Sequence, residues 1–347
     1  MIRIDEIYDN VFSPVVLSKP FQSMHYFNPF GRTDANALQV TPLITKRNKA
    51  FLLWDQEPFF PDVHTSTIDW FYKTFINKSE SDVNVTFVTS EKNSKNVNDL
   101  IANYELKSNY YFFHGWVALE WFRGYDRTFL TSPYNDRIIT NTFMCPNRIV
   151  SGKREHRVNL FKELVKNNLV GDNKISFPAR CLYSKDEIII DNVKLPLCFD
   201  NEEVGNIPNE SYRISLWEQS KNSLLYVVTE TLFEEETLHL TEKIFKPIVM
   251  QMPFVLVGAQ YNLEYLRSYG FKTFGDFWDE DYDNQCNQDR MTSIVKLLKE
   301  LNDLSIQEKA QLQKHITSIV EYNFKWFYSK EYENLLWGEL TEMMKEW

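Results

Sequence analysis

The chain has 347 residues, 43% of them apolar and 15% aromatic, with a formal net charge of −10. That length accommodates two domains of ordinary size, each with its own core, and that composition excludes wholesale disorder. An acidic balance argues against partners held mainly through neutralised phosphates, whether nucleic acid or an anionic membrane surface.

In chain order, the opening MIRIDEIYDNVF carries acidic residues where a signal peptide needs a basic region and then an apolar one. No run reaches the 18 apolar residues of a membrane span, so a cytoplasmic protein is expected. Buried strands are expected at Ala50–Trp54, Val83–Thr89 and Tyr110–Phe113. A second set follows at Thr142–Cys145, Lys174–Phe177, Leu224–Val228, Phe254–Val257 and Phe271–Phe274. Helical periodicity lies between them at Arg157–Asn167, Glu242–Gln251, Asn262–Ser268 and Arg290–Leu301. Ser305 and Glu308 have capping-box spacing ahead of Leu312, Ile316, Ile319 and Val320.

This alternation predicts an α/β chain. The turn-rich Thr131–Ile139 suggests a division into residues 1–136 and 137–323, with 324–347 a Trp/Tyr-rich helix crossing back to the first domain. Cys145, Cys181, Cys198 and Cys286 are far apart and form no C-x-x-C pair, so they read as reduced, mostly buried thiols.

The informative stretch is Leu224–Gly258, LLYVVTETLFEEETLHLTEKIFKPIVMQMPFVLVG. A buried strand ends just before Glu230, a loop follows, and Thr241-Glu242-Lys243 opens a helix. Thr241 suits an N-cap and Glu242 suits the positive end of the helix dipole. Lys243 does not, unless an anion such as a diphosphate binds there. Pro247 predicts a kinked or short helix, because it removes a backbone hydrogen bond.

The order strand, Glu230, His239-x-Thr241-Glu242-Lys243, helix, Pro253-Phe254-Val255, Gly258 resembles the α1,3-fucosyltransferase family of glycosyltransferases (the GT10 type). Arg157 and Leu164, after Asn147-Arg148 and the basic Lys153–Arg157, match that family's Arg and the Leu seven positions later. The likeness covers residues 140–280 and more thinly 50–135, through Trp54–Pro58, His114–Glu120 and Tyr125-Asp126-Arg127. Two departures bear on which sugar is bound. His239 stands where a Tyr is common, and the Glu230-to-Glu242 spacing is about two residues longer.

The resemblance implies a GT-B fold, two Rossmann-like domains facing each other across a cleft. It implies transfer of a sugar from a GDP- or UDP-linked donor, with inversion and without metal or other cofactor, to a glycan or small saccharide. Arg157, or Arg154 if the register slips, and Lys243 would meet the diphosphate. Glu230 and Glu242 would bind ribose or sugar hydroxyls, with His239 and Thr241 also on the donor side. For the general base Glu120 is preferred, with Glu57 and Asp55 as competitors. The Asp-x-Asp at Asp279-Glu280-Asp281 is assigned no metal, and no H-E-x-x-H, P-loop or G-x-S-x-G pattern occurs.

Two alternatives remain. The Asn/Lys/Phe/Tyr-rich style is that of phage- or virus-encoded transferases, which would place the protein in host cytoplasm. Some of these glycosylate hydroxymethylated bases in duplex DNA. The other alternative is a non-catalytic module that binds a nucleotide sugar or carbohydrate; the joint presence of Arg157 and Lys243 argues for the enzyme.

Overall fold

A computed structural model describes residues 7–18, 22–27, 38–40, 49–77, 82–125, 137–150, 152–180, 186–190, 193–197, 220–234 and 236–347. Chain contacts divide it into two units. Unit 1 comprises Met1–Glu120, Glu236–His239 and Glu333–Trp347; unit 2 comprises Trp121–Glu235 and Leu240–Tyr332. The division between Glu120 and Trp121 lies upstream of the position expected near residue 136. Most of the turn-rich stretch that suggested it, like Asp126-Arg127, Cys181 and Cys198, lies outside the described residues. Of the two described cysteines, Cys145 is buried and Cys286 exposed, both as free thiols.

Unit 1 begins with a π-helical turn, Ile7–Phe12, that runs into α1 (Ser13–Leu17). Its strands are β1 (Gln22–Phe27), β2 (Leu38–Val40), β3 (Lys49–Trp54), β4 (Asn84–Thr89) and β5 (Lys107–Tyr110). They form one sheet in the order β2-β1-β3-β4-β5, parallel except for the antiparallel edge strand β2. Every residue of β3 from Ala50 to Trp54 is buried, the unbroken apolar run expected of a strand covered on both faces. Ala50, Leu52, Trp54, Val85 and Phe87 share a core with Ile68 and Phe71 of α2 (Pro61–Phe71) and Val97 and Leu100 of α3 (Lys95–Tyr104). Pro61 opens α2, where its missing N–H is no loss, and the Ser94 side chain caps α3.

Helix α4 (Phe113–Leu119) closes the first stretch of unit 1; unit 2 carries β6 (Asn141–Pro146), and α5 (His156–Lys166) leads from β6 to β7 (Lys174–Ser176). Next come β8 (Ser223–Thr229), α6 (Glu242–Val249), β9 (Phe254–Val257) and α7 (Asn262–Ser268). The unit ends in α8 (Asn287–Asp303), α9 (Ile306–Phe327) and the start of α10 (Lys330–Met344), which continues into unit 1. The four strands are all parallel, in the order β7-β6-β8-β9. The chain is thus an α/β protein with two parallel-sheet, Rossmann-like units.

Two expected strands differ from the structure. The run Tyr110–Phe113 is where β5 ends, and Phe113 already begins α4. Phe271–Phe274 forms no strand, because its main-chain bonds go to side chains. The Asn323 amide of α9 both accepts from Lys272 N and donates to Lys272 O, each at 2.8 Å, and Phe274 N donates to Glu280 Oε1 at 2.8 Å. The helix expected over 324–347 is two helices, broken between Phe327 and Lys330. Pro247 lies inside a helix of eight residues.

Candidate functional site

In unit 2 the chain leaves β6 toward β7 on one side and returns to β8 on the other. The strand order therefore reverses between β6 and β8, and the crevice beyond their carboxyl ends is where parallel α/β sheets bind ligands. Asn147 and Arg148 follow β6 at that edge, and Glu230 and Thr231 follow β8. The two ends are tied directly, since Thr229 Oγ1 donates to Asn147 Oδ1 at 2.8 Å.

Beneath them lies Arg157, 4% exposed. Its Nη1 donates to Ile149 O at 2.6 Å, and its Nη2 to Thr229 O at 2.7 Å and Glu230 O at 2.9 Å. Burial, with Arg154 close by, pushes its pKa down to about 10, so it remains a cation at neutral pH. The neighbouring His156 is 2% exposed, donates from Nε2 to Glu230 O at 3.1 Å, and stacks on Phe233 with centroids 5.3 Å apart. Burial first, and the nearby arginines second, bring its pKa down to about 3.

On the β8–α6 side, Glu230 is fully buried. Its carboxylate accepts from Thr241 N at 3.1 Å and Thr241 Oγ1 at 2.6 Å, closing the loop onto the start of α6. Burial raises its pKa; Lys243 and Thr241 pull against that shift. Thr241 caps α6 by accepting from Lys243 N at 3.4 Å. The Lys243 ammonium donates to Thr241 Oγ1 at 3.0 Å, Glu242 Oε1 at 3.1 Å and Thr231 Oγ1 at 3.4 Å, with its side chain 31% exposed. A half-exposed ammonium over a helix N-terminus is an arrangement that accepts an anion.

Arg157, Arg154, Glu230, Thr241, Glu242 and Lys243 are therefore brought to one edge of unit 2, but with altered parts. The fork expected of Arg157 is directed at main-chain carbonyls. The Glu230 oxygens expected to meet sugar or ribose hydroxyls are engaged by Thr241. Arg154 is half-buried on the single turn Gly152–Arg154 just ahead of α5. From sequence, Asn147 and Arg148 were read as part of the motif but given no site role, and Thr231 was not singled out. The strand order that places them there is not visible in a linear pattern.

His239, two residues ahead of Thr241, is grouped with unit 1 and is 1% exposed. The segment that carries it is bridged to β4's end by Lys92 N to Leu238 O at 3.1 Å and Leu238 N to Lys92 O at 2.9 Å. The His239 Nδ1 lies 3.4 Å from Ser90 O, and its ring meets His114 edge-on at 5.2 Å. Ser90 Oγ donates to Asp55 O at 2.7 Å, and the fully buried Asp55 accepts a hydrogen bond from the Tyr111 hydroxyl. Asp55, Ser90, His114 and His239 thus form a buried polar cluster beyond the carboxyl ends of β3, β4 and β5. Glu57 is half-buried in the loop leading to α2, and Glu120, 7% exposed, follows the last residue of α4. Ser90 is the member that sequence reasoning missed; His114 was read only as the start of the acceptor-side stretch His114–Glu120.

Among the described residues no group of three or more His, Cys, Asp or Glu is placed to hold a metal ion. In the Asp-x-Asp stretch Glu280 accepts from Thr273 Oγ1 at 2.6 Å and Asp279 accepts from Asp281 N at 2.8 Å. Among the same residues no helix is long and apolar enough to cross a membrane.

No protein-family model matches the chain, and no curated protein sequence does. Solved structures with a similar course include the DNA-modifying enzyme β-glucosyltransferase, studied with and without uridine diphosphoglucose. It is 9% identical at a TM-score of 0.40, over 86% of this chain and 73% of that one. Another is the T4 phage enzyme with its UDP-glucose substrate, 10% identical at 0.34, over 81% and 72% of the two chains. A likeness this loose assigns no residue.

Proposed function

We propose that the protein is a GT-B-type glycosyltransferase that moves a sugar from a nucleoside-diphosphate donor to an acceptor hydroxyl. The observation that carries this reading is the anion-accepting edge of unit 2, where Lys243 stands in the first turn of α6 beside the β6–β8 switch point. As the glycosidic bond to the donor phosphate breaks, negative charge gathers on the leaving diphosphate. A preorganised ammonium and helix N-terminus stabilise that charge without reorganising. The other requirement of an inverting transfer is a carboxylate that takes the acceptor proton. Asp55 stands at the carboxyl edge of β3 and its carboxylate accepts from the Tyr111 hydroxyl; Glu120 and Glu57 are the other candidates. No metal enters this scheme.

The donor and acceptor are open to direct assay. The family resemblance points to guanosine and fucose. UDP-glucose is what the T4 enzyme binds, and DNA is what the β-glucosyltransferase modifies. Duplex DNA with hydroxymethylated bases is therefore the first acceptor to test and a saccharide the second, with host cytoplasm the setting for a virus-encoded enzyme.

The test is thermal stabilisation by UDP, GDP and their sugars, followed by transfer of labelled sugar to each acceptor. A nucleotide at a hundred times its dissociation constant stabilises by about 2.7 kcal/mol, a readily measured shift. Lys243→Ala should keep the wild-type melting temperature, lose that shift and abolish transfer. Full transfer activity in a correctly folded Lys243→Ala protein would sink the proposal.

A further inference from the structure

The loop that leaves β8 is held by two buried guanidiniums, of which Arg157 is the first. The second is Arg290, 1% exposed and the fourth residue of α8. Its Nη1 donates to Gln285 O at 2.8 Å, and its Nη2 donates to Phe233 O and, at 2.9 Å, to Asn287 Oδ1. The guanidinium carbon lies 4.5 Å from the centre of the Phe233 ring, the same ring that stacks on His156. Asn287, at the start of α8, adds a second tie by donating to Glu234 O at 3.1 Å. Arg290 is an unfavourable residue for a plain structural contact. It is a cation near the positive end of a helix dipole, none of its hydrogen bonds goes to a carboxylate, and its buried Nε–H has no acceptor. An apolar side chain of similar volume would fill the space without those costs.

What the two arginines share is the kind of group they bind. Arg157 takes the carbonyls of Thr229 and Glu230, and Arg290 takes that of Phe233. Three of the five carbonyls from Thr229 to Phe233 therefore have their negative ends turned onto a buried cation. Peptide planarity sets each following N–H on the opposite side. Thr231, in the middle of this stretch, accepts from the Lys243 ammonium at 3.4 Å. A carbonyl turned toward that ammonium would compete for it and repel an anion bound there. We infer that Arg290 is a positioning residue of the anion-accepting edge, holding Phe233 O inward so that the β8–α6 loop presents no carbonyl to a bound diphosphate. It touches no ligand and acts through the loop. The inference deepens the donor-site reading and rests on it.

The experiment compares the wild type with Arg290→Met, which removes the donor, and Arg290→Gln, which removes the charge but keeps an N–H for Phe233 O. Binding of inorganic pyrophosphate, UDP and GDP is measured by calorimetry, and hydrogen exchange without ligand is followed at the amides of residues 231–234 and of β9. Arg290→Met is expected to lose affinity about tenfold or more, equally for all three probes because the shared diphosphate is what the loop faces. Exchange at 231–234 should quicken while that of β9 holds, which separates a loosened loop from a loosened fold. Arg290→Gln should recover most of that loss, to within about threefold of the wild type. A lower melting temperature with affinity unchanged in Arg290→Met would make Arg290 a structural residue and overturn the inference. Equal losses in the two variants would assign the effect to charge alone and overturn it as well. If Arg290→Met does not fold, Arg290→Gln decides: affinity and loop exchange both identical to the wild type would defeat the positioning role. A wild type that binds none of the three probes would instead defeat the donor-site reading itself, and the role of Arg290 with it.

Discussion

His156 shows how one buried side chain ties stability to pH. Its imidazole is held neutral against Glu230 O and Phe233, with a pKa near 3 against 6.5 for an ordinary histidine. Between those values the unfolded chain binds a proton that the folded chain does not, so stability rises with pH. The contribution is intact above 6.5 and is lost as pH falls toward 3. A single such group gives a slope of up to about 1.4 kcal/mol per pH unit. His156→Gln, whose amide can still donate to the carbonyl, should flatten the dependence of urea stability on pH between 4 and 6 by roughly that much. His64, lowered to about 4 by burial, should preserve part of the acid sensitivity. An unchanged slope would mean that His156 is charged in the folded protein. At this scale, sequence showed what is local: the Thr241 cap, Lys243 beside it, and the Ser305–Glu308 box, in which both reciprocal bonds form. It did not show that Arg157 answers to carbonyls at positions 149, 229 and 230, because those partners come together only when β6 and β8 pair.

Among the elements, the apolar parallel strands were plain, since a strand buried on both faces reads as an unbroken hydrophobic run. The strands β3, β8 and β9 belong to that class, and β4 (NVTFVT) and β6 (NTFMCP) were legible from their shorter apolar stretches and β-branched residues. The strand β1 (QSMHYF) and the edge strand β5 (KSNY) escaped because polar residues interrupt them, and α3 because only Val97 and Leu100 of its ten residues are buried. The false strand at Phe271–Phe274 has an instructive cause. Its apolar pattern is real, but Asn323 provides the hydrogen bonds that a neighbouring strand would have made. Gly270 sets the entry to that segment at φ +85°, and a Cβ there would lie 2.6 Å from Trp326 Cζ2. Gly270→Ala combines a left-handed backbone with an overpacked indole and should destabilise by about 2 kcal/mol or more, read as a lower denaturation midpoint. A midpoint equal to that of the wild type would show that the indole gives way freely.

At the scale of the whole molecule, the two units are not two consecutive lengths of chain. Unit 1 takes in the short segment Glu236–His239 and the closing Glu333–Trp347. The last of these is anchored by Trp347, 3% exposed, which stacks on Phe51 with centroids 4.2 Å apart, packs on Phe12 at 4.9 Å and donates from Nε1 to Asn109 at 3.1 Å. Trp347→Ala should therefore cost about 3–5 kcal/mol. The loss should appear as faster hydrogen exchange in β1 and β3, and exchange unchanged there would show that the tail is dispensable. The division expected from sequence, near residue 136 with 324–347 crossing back, has no place for Glu236–His239, whose contacts with β4's end span more than a hundred residues.

The same threading bears on how the protein is made. Chains emerge at about 5–20 residues per second, and domains ordinarily fold in the order in which they appear. Here the first 120 residues leave the ribosome without the ring that covers Phe51 and Phe12. Unit 2 can close before unit 1 is complete, and for a time on the order of ten seconds or more the earlier-synthesised sheet waits for Trp347. Of the two units, the one whose synthesis starts earlier is completed later.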